Sequence, residues 1–317
     1  MRGWGAPIAI VAAASATLGA VWLGLHRASS AVQRWGPSSQ ITSRGRFLAS
    51  RSAGSNDPVI VLISGLAASE RYWGEKFEVL AESATVVAID PLGFGSSADV
   101  AGVGDLADPA THVRMLEATL VERGLAGRPV VVVGHSMGAS LALRWAATAD
   151  AVRAVVCFGA PLYRTDDEVQ RQMKELGWFE SLLSRGPLAE AVCHWMCRHR
   201  AFSRWAAVVM NPGLPTVIAK DAIRHTWAGY IGAFTALIAD DGWQAAVDTL
   251  ARRMVPVTFV EGDRDRASVA GRAKQLADAV SSMKVVTLSG DHHLPLTRPD
   301  ECIAVIRMQV DRLRGAY

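Results

Sequence analysis

A serine set between a run of valines and a helical pattern is the feature that most constrains this chain. Val130 to Val133 lead directly into the sequence Gly-His-Ser-Met-Gly at 134–138, and residues 140–148 follow with helical periodicity. The pattern predicts a strand, a sharp turn with Ser136 at its apex, and a helix. The flanking glycines leave room for a strained serine backbone, and the first amides of the helix point towards the same place. The arrangement suits a nucleophile.

A serine hydroxyl becomes nucleophilic when a base takes its proton and a third group orients that base. Suitable side chains lie on two later loops, each directly after a predicted strand. Asp263 and Asp265 follow one strand, and His292 and His293 follow the next. The residues alone leave open which aspartate and which histidine would serve. Their order along the chain, serine then aspartate then histidine, is that of hydrolases with a nucleophile elbow.

Over about residues 41–314 the chain resembles the α/β-hydrolase superfamily. The turn around Ser136 is one of five features that occur in the order typical of that family. The other four are the strand and loop that supply half of an oxyanion hole, a D-x-x-G-x-G-x-S turn, a G-x-x-D acid loop and a terminal histidine loop, at 59–66, 90–97, 262–265 and 290–299.

The resemblance implies a role for three side chains. Ser136 is expected to be the nucleophile, Asp265 the orienting acid and His292 the base. Asp265 fills the fourth place of the acid loop, and His292 precedes Pro299 by the seven residues that are usual in the family. Asp263 and His293 are the alternatives to the last two.

The resemblance also implies an oxyanion hole made of the backbone amides of Leu66 and Met137. The family often has His-Gly before the first of these amides, and this chain has Ser64 and Gly65. Because the donors are backbone N–H groups, the change of side chain leaves the expected chemistry intact.

From about residue 41, short apolar strands alternate with helical stretches, which predicts an α/β fold with a mostly parallel sheet and helices on both faces. Between Pro161 and Leu250 no strand is evident, and about ninety residues are too many for a loop in a compact domain. The resemblance implies a helical cap over the active site. The predicted domains are an N-terminal segment, a core in two pieces and a cap, at 1–40, 41–160 with 251–317, and 161–250. Strands are expected near 59–63, 85–89, 130–134, 154–158, 255–260 and 284–288.

The expected cap is rich in aromatic residues. Most of them are interpreted as ordinary helix packing, but so many apolar side chains must be buried against another surface. The catalytic face of the sheet is the natural one, which predicts an apolar pocket and a small hydrophobic substrate. The residues are Trp178, Phe179, Trp195, Phe202, Trp205, Trp227, Phe234 and Trp243.

A charge-free run from Pro7 to Leu25 lies near the amino terminus. At about 1.5 Å per residue, a helix of this length just spans a bilayer core of about 30 Å. We therefore expect membrane association through a single N-terminal transmembrane helix or signal anchor, with a linker over 28–40. One alternative is a signal peptide that is cleaved near Ser29-Ser30-Ala31, after which the protein is exported. The other is an ordinary helix of the folded domain.

The charges that flank this run predict its orientation. Arginines after it outnumber the positive charges before it, so the positive-inside rule favours a cytoplasmic catalytic domain. The arginines are Arg2 on one side and Arg27, Arg34, Arg44, Arg46 and Arg51 on the other.

Charge and cysteine content exclude other classes. A net charge of +3 is too small to indicate nucleic-acid binding, and four scattered cysteines do not form a disulfide framework. Cys193 and Cys197 share one helical face beside His194 and His199, but no second pair of ligands follows. We expect neither a metal nor a cofactor.

The sequence therefore predicts a serine hydrolase that cleaves a hydrophobic ester through an acyl-enzyme. The same three side chains would also suit a thioesterase, a carbon–carbon bond hydrolase or a cofactor-free peroxidase. A binding protein on a hydrolase scaffold is the alternative outside enzymes, because a fold does not fix a function.

Overall fold

The computed structural model describes residues 5–35, 45–100, 104–176 and 185–315, with the side chains of its first helix described from Thr17 onward. Seven strands form one sheet in the order β1-β3-β2-β4-β5-β6-β7. β1 is antiparallel to β3, and all other neighbours are parallel. The strands are β1 Ser50–Ala53, β2 Val59–Ile63, β3 Thr85–Ile89, β4 Val130–His135, β5 Val152–Phe158, β6 Val257–Gly262 and β7 Met283–Leu288.

Helices cover both faces of the sheet and fill the stretch between β5 and β6. Three short 3-10 turns, at Glu70–Trp73, Glu75–Glu82 and Gly95–Ser97, follow β2 and β3. The helices are α1 Gly5–Ala31, α2 Pro109–Glu122, α3 Met137–Thr148, α4 Asp166–Leu176, α5 Pro187–Arg198, α6 Arg200–Met210, α7 Thr216–Asp221, α8 Trp227–Phe234, α9 Trp243–Arg252, α10 Arg272–Ala279, α11 Leu294–Thr297 and α12 Pro299–Arg314. A π-helical turn, Thr235–Ala239, continues α8.

β4 shows why the central strands are continuous apolar runs. All its residues are buried. Val130 and Val132 face the core beneath α3, whereas Val131 and Val133 face the opposite core, which includes Ile306 of α12. A parallel sheet covered on both faces requires apolar side chains at every position instead of at alternate ones. The predicted α/β class and the six predicted parallel strands are confirmed, and β1 is an additional edge strand.

Between β5 and β6 the described residues form the helices α4 to α9 and no strand, and we call these helices the cap. Trp178 and Phe179 lie outside the described residues. Phe234 and Trp243 are buried, and the indole N–H of Trp243 donates to the carbonyl of Tyr163 at 2.6 Å.

The expectation that the cap aromatics would be buried is wrong for three of them. Trp195, Phe202 and Trp205 are 50, 64 and 60% exposed. The reason lies in the neighbouring positions of α5 and α6. The inner sides of these helices are occupied by the smaller residues Cys193, Ser203 and Ala207.

α1 covers the apolar run at 7–25. Among the residues whose side chains are described, no helix is long and apolar enough to cross a membrane, so the predicted transmembrane helix is not supported. The carboxyl-terminal half of α1 instead contacts the cap. The indole N–H of Trp22 donates to the carbonyl of Val209 at 2.9 Å, and Nε2 of His26 lies 3.0 Å from the hydroxyl of Thr216.

The turn from β4 into α3 needs glycine at two positions. A Cβ on Gly134 would lie 2.2 Å from the carbonyl oxygen of Gly138, and a Cβ on Gly138 would lie 2.4 Å from the carbonyl oxygen of Ile63. The start of α3 therefore packs backbone against backbone on the end of β2. This contact brings the loop after β2 up to the turn.

Substitution Gly138→Ala is expected to destabilise the fold, because the new methyl group meets the backbone of β2 and cannot move aside. The loss in the free energy of unfolding should be about 1–3 kcal/mol or more, measured by urea unfolding. Gly213→Ala is the matched control, since a Cβ there meets nothing within 4 Å. Equal stability of the two variants would contradict this account.

Candidate active site

Ser136 occupies the turn between β4 and α3 in a strained conformation. Its φ and ψ are 52° and −122°, so this serine has the positive φ that glycine usually supplies. Its amide donates to the carbonyl of Phe158 at the end of β5, at 2.8 Å. The strand ladder thus continues into the turn and holds it in place. A strained, anchored serine at the carboxyl edge of a parallel sheet is the geometry of a nucleophile elbow.

Asp265 and His292 are in direct contact. Nδ1 of His292 lies 3.1 and 3.0 Å from the two carboxylate oxygens of Asp265. The loops after β6 and β7 carry these two residues, and the parallel pairing of the strands brings the loops side by side. The carboxylate also accepts hydrogen bonds from the amide of Ala267 at 2.8 Å and the hydroxyl of Ser268 at 2.8 Å.

These donors determine the charge of Asp265. Burial alone would raise the pKa of this carboxyl group. The hydrogen bond and charge of His292 and the donors at 267–268 outweigh burial and lower the pKa below the usual range of aspartate. The carboxylate therefore remains ionised and keeps the proton of the imidazole on Nδ1. Nε2 of His292 is then the nitrogen that can accept a proton.

Asp263 and His293, the two alternatives left by the sequence, have other partners. Asp263 accepts the amide of Gly290 at 2.9 Å and lies 3.4 Å from the guanidinium of Arg264. Nδ1 of His293 lies 3.1 Å from the hydroxyl of Tyr72.

His292 approaches the elbow through its backbone. Nε2 of His135, the residue before Ser136, donates to the carbonyl of His292 at 2.9 Å. The ring centroids of His135 and His292 are 4.8 Å apart. In the described part of the chain, the hydroxyl of Ser136 makes no hydrogen bond to His292. Contacts between catalytic groups are often longer without substrate and tighten when it binds.

Tyr72 and His135, which are both buried, form a cluster with the half-buried His293 that the sequence interpretation missed. The hydroxyl of Tyr72 lies 3.1 Å from Nε2 of His135 and 3.1 Å from Nδ1 of His293. Because a carbonyl can only accept, Nε2 of His135 carries a proton, so the hydroxyl of Tyr72 accepts from His135 and its own proton is available to Nδ1 of His293. The one sequence signal was the position of Tyr72 shortly after the oxyanion loop.

The cluster is electrically neutral. Burial, followed by the charges of His292 and His293, lowers the pKa of His135 well below the ordinary value, and burial and then the charge of His292 lower that of His293 to about 4. Burial raises the pKa of Tyr72. Positive charge near the elbow can therefore develop on His292 without a second cation beside it.

The loop after β2 lies against the elbow. A Cβ on Gly65 would lie 3.1 Å from the Cβ of Ser136, which places the next residue, Leu66, beside the serine. Met137 is the first residue of α3. Neither the amide of Leu66 nor that of Met137 donates to another described residue. Both remain available to an oxyanion, as an oxyanion hole requires.

The cap is fastened to the segment that follows this loop. Asp221, at the end of α7, has a side chain that is only 1% exposed. It accepts hydrogen bonds from the hydroxyl of Ser69 at 2.6 Å and from Nε of Arg71 at 2.8 Å. An ion pair between a buried carboxylate and a partly exposed guanidinium therefore joins the cap to the turn that carries Tyr72.

The D-x-x-G-x-G-x-S turn is a structural element. Asp90 accepts the amides of Glu70 and Ser96, and a Cβ on Gly95 would collide with its carboxylate. Burial, with the nearby charge of Glu70, raises the pKa of Asp90 to about 7, although both hydrogen bonds oppose the shift. The turn ties the end of β3 to the 3-10 turn Glu70–Trp73.

Cys193 and Cys197 do not belong to a metal site in the described ranges. No group of three or more histidine, cysteine, aspartate or glutamate side chains there could hold a metal ion. Cys193 is buried, and the thiol of Cys197 lies 3.2 Å from the carbonyl of His225.

Comparison with known proteins identifies the family. Residues 60–305 match the sequence profile of the "Alpha/beta hydrolase family". The chain belongs to that family. The elbow at Ser136 and the order of the strands agree with it. The resemblance predicted from the sequence is confirmed.

The alpha/beta hydrolase also matches curated proteins from Escherichia coli over part of their length. One, from O157:H7 strain EC4115 / EHEC, is named "Putative carbamate hydrolase RutD" and is 30% identical over 148 residues, which cover 44% of this chain and 53% of the relative. Another of that name, from O103:H2 strain 12009 / EHEC, is 36% identical over 92 residues, or 28% and 32% of the two chains. The chain thus spans about a third to a half of these relatives.

Solved structures share the fold. E-2-(acetamidomethylene)succinate hydrolase has a TM-score of 0.64 at 20% identity, covering 86% of this chain and all of that one. The enol-lactonase from Burkholderia xenovorans LB400 has a TM-score of 0.61 at 20% identity, covering 84% and 96%. At these identities the likeness concerns the fold alone.

The lowered pKa of Asp265 predicts how the free energy of unfolding of this hydrolase changes in acid. Because the folded-state pKa of Asp265 is lowered, its stabilising contribution is present above the unfolded-state pKa of about 4 and is lost as the pH falls through the folded-state pKa. The difference in unfolding free energy between wild type and Asp265→Asn should therefore be larger at about pH 6 than at about pH 3.

The measurement is urea unfolding at both pH values. Asp263→Asn is the matched control, because it leaves the Asp265–His292 pair intact and should follow the wild-type pH dependence. A difference for Asp265→Asn that did not change with pH would contradict the assignment of the ionised carboxylate.

Proposed function

We propose that this protein is a serine hydrolase that cleaves hydrophobic carboxylic esters. The observation that carries the proposal is Ser136 in a strained turn near a half-buried, hydrogen-bonded pair of Asp265 and His292. Membership of the alpha/beta hydrolase family supports hydrolysis as the reaction class. The ester substrate and the individual roles of the three residues are inferred from the arrangement.

In the first half of the reaction, the hydroxyl oxygen of Ser136 attacks the ester carbonyl carbon while Nε2 of His292 takes its proton. The carbonyl π pair moves to oxygen, and the amides of Leu66 and Met137 bind the resulting oxyanion. When the tetrahedral intermediate collapses, the bond to the leaving alcohol breaks and His292 protonates that alcohol. An acyl group remains on Ser136.

In the second half, His292 takes a proton from water, and the hydroxide attacks the acyl carbon. The second tetrahedral intermediate uses the same two amides. Its collapse breaks the bond to Ser136, which regains its proton from His292, and the acid product leaves. Asp265 stays ionised throughout and stabilises the imidazolium in both halves.

The cap supports a hydrophobic substrate. A cavity of about 130 Å³ lies between α5 and α8, and its walls are mainly apolar and aromatic. Such linings bind apolar groups and leave orientation to a few polar ones. The lining residues are Ala189, Val192, Cys193, Met196, His225, Trp227 and Tyr230.

Labelling with a fluorophosphonate tests the activated serine directly, because the reagent forms a covalent bond only with a serine whose proton is removed by a base. The full-length wild type should be labelled at one site, and Ser136→Ala should not be labelled. Ser289→Ala, which removes an exposed serine hydroxyl close to the histidine loop, is the control and should be labelled like wild type. Folded wild-type protein that took up no label would refute the proposal.

Turnover of p-nitrophenyl esters of increasing chain length tests substrate class and the choice of acid together. Asp265→Asn should lower kcat by about 10³- to 10⁴-fold, because the imidazole loses its orienting carboxylate. Asp263→Asn should stay within about threefold of wild type, because asparagine can still accept the amide of Gly290. Longer acyl chains should lower KM. Equal losses in the two variants would contradict the role of Asp265.

A further inference from the structure

Exposed apolar side chains are concentrated on one part of the molecule. In the described ranges, ten of the thirteen large apolar residues that are exposed lie on α1, α5 and α6. The other three, Val121, Met254 and Met308, are scattered elsewhere. Single exposed apolar residues need no explanation, but a cluster indicates an interaction surface.

α6 is amphipathic, but its large apolar side chains lie on the exposed face and its small ones on the buried face. Phe202, Trp205 and Val209 share one helical face at spacings of three and four, and all are at least 60% exposed. The opposite face, which packs against the rest of the cap, is built from Ser203, Ala207 and Val208. The largest apolar groups of the helix therefore face outward, where they cannot stabilise the fold.

The outward face continues onto the neighbouring helices. Trp195 of α5 meets Phe202 edge to face, with ring centroids 5.9 Å apart. The bond from Trp22 to the carbonyl of Val209 joins α1 to α6, and α1 carries further exposed apolar side chains, such as Leu18. We name the surface on α5 and α6 the cap face; it consists of Leu188, Trp195, Phe202, Trp205, Val209 and Met210.

Positive charge surrounds the cap face. Arg198, Arg200 and Arg204 are exposed, and Nζ of Lys220 lies 3.5 Å from the ring centroid of Trp205. Glu190 is the one acidic residue between positions 186 and 220 of the sequence. Its carboxylate lies 3.5 Å from His194.

We propose that the cap face docks on the surface of an anionic lipid bilayer. Tryptophan and phenylalanine on one side of a helix, with arginine and lysine beside them, are the composition of helices that lie in the membrane interface. The aromatic rings enter the boundary between headgroups and acyl chains, while the long basic side chains reach lipid phosphates. The proposal does not rest on the proposed hydrolysis, and it does not need any helix to cross the bilayer.

Vesicle co-sedimentation of the full-length protein tests the proposal without any turnover. The probes are vesicles of phosphatidylcholine alone and of phosphatidylcholine with about 30% phosphatidylglycerol. Wild type should bind the anionic vesicles, and high salt should weaken the binding because it screens the basic residues. The double variant Phe202→Ser/Trp205→Ser should bind the anionic vesicles at least about tenfold more weakly than wild type. Its circular dichroism spectrum should be unchanged.

Two controls separate the cap face from other sources of binding. Val121→Ser/Met254→Ser removes two exposed apolar residues elsewhere and should bind like wild type. Arg200→Glu/Arg204→Glu should lose binding to anionic vesicles, whereas Arg153→Glu/Lys284→Glu changes the net charge equally on other exposed positions and should lose far less.

Three results would overturn the proposal. The first is that wild type remains in the supernatant with both kinds of vesicle. The second is that Phe202→Ser/Trp205→Ser binds as wild type does, which would assign the binding to a surface other than the cap face. The third is a dimer seen by sedimentation without lipid and lost in the double variant, which would make the cap face an interface between two copies of the chain.

Discussion

The backbone contact between the start of α3 and the end of β2 is the constraint on which the site depends. Gly138 lets these segments approach more closely than any side chain would permit, and Gly134 does the same for the end of β4 and the first turn of α3. Because the contact holds the loop after β2 beside Ser136, it brings the amides of Leu66 and Met137 to one place. Asp265 and His292 lie on the loops after β6 and β7, which take no part in this contact. The site is thus assembled by the order of strands in the sheet.

The sequence predicted the parts of the fold that depend on continuous apolar burial. Strands β2, β3 and β4 stand out because a parallel sheet covered on both faces demands continuous apolar residues, and all their residues are buried. The edge strand β7 is only partly buried and was recognised from the shorter apolar run that begins at Val285. The edge strand Ser50–Ala53 did not stand out, since it is short and rich in serine. The position after a recognisable strand singled out two aspartates and two histidines as candidates, and the resemblance to the family then favoured Asp265 and His292 among them. Tyr72 was missed because its contact with two histidines is formed by residues far apart in the chain, and no local pattern encodes it.

The aromatic cap shows the limit of composition as a guide. Large apolar residues are normally expected inside, and that expectation failed for Trp195, Phe202 and Trp205. Helical periodicity in α6 reveals two faces but does not say which of them points inward. The packing of α6 against the rest of the cap decides this, because the buried positions of the helix are occupied by Ser203, Ala207 and Val208. Local pattern therefore predicted the helix, and tertiary packing determined its orientation.

The ion pair between Asp221 and Arg71 has a consequence for how the cap can move. Asp221 also lies 3.7 Å from Arg224 of the cap itself, so it keeps a cationic partner when the cap moves away from Arg71. A movement that separates the pair returns Arg71, already 21% exposed, to water, whereas a movement that keeps the pair pulls on the turn that carries Tyr72. Displacement of the cap and displacement of the segment after the oxyanion loop are therefore coupled through this contact.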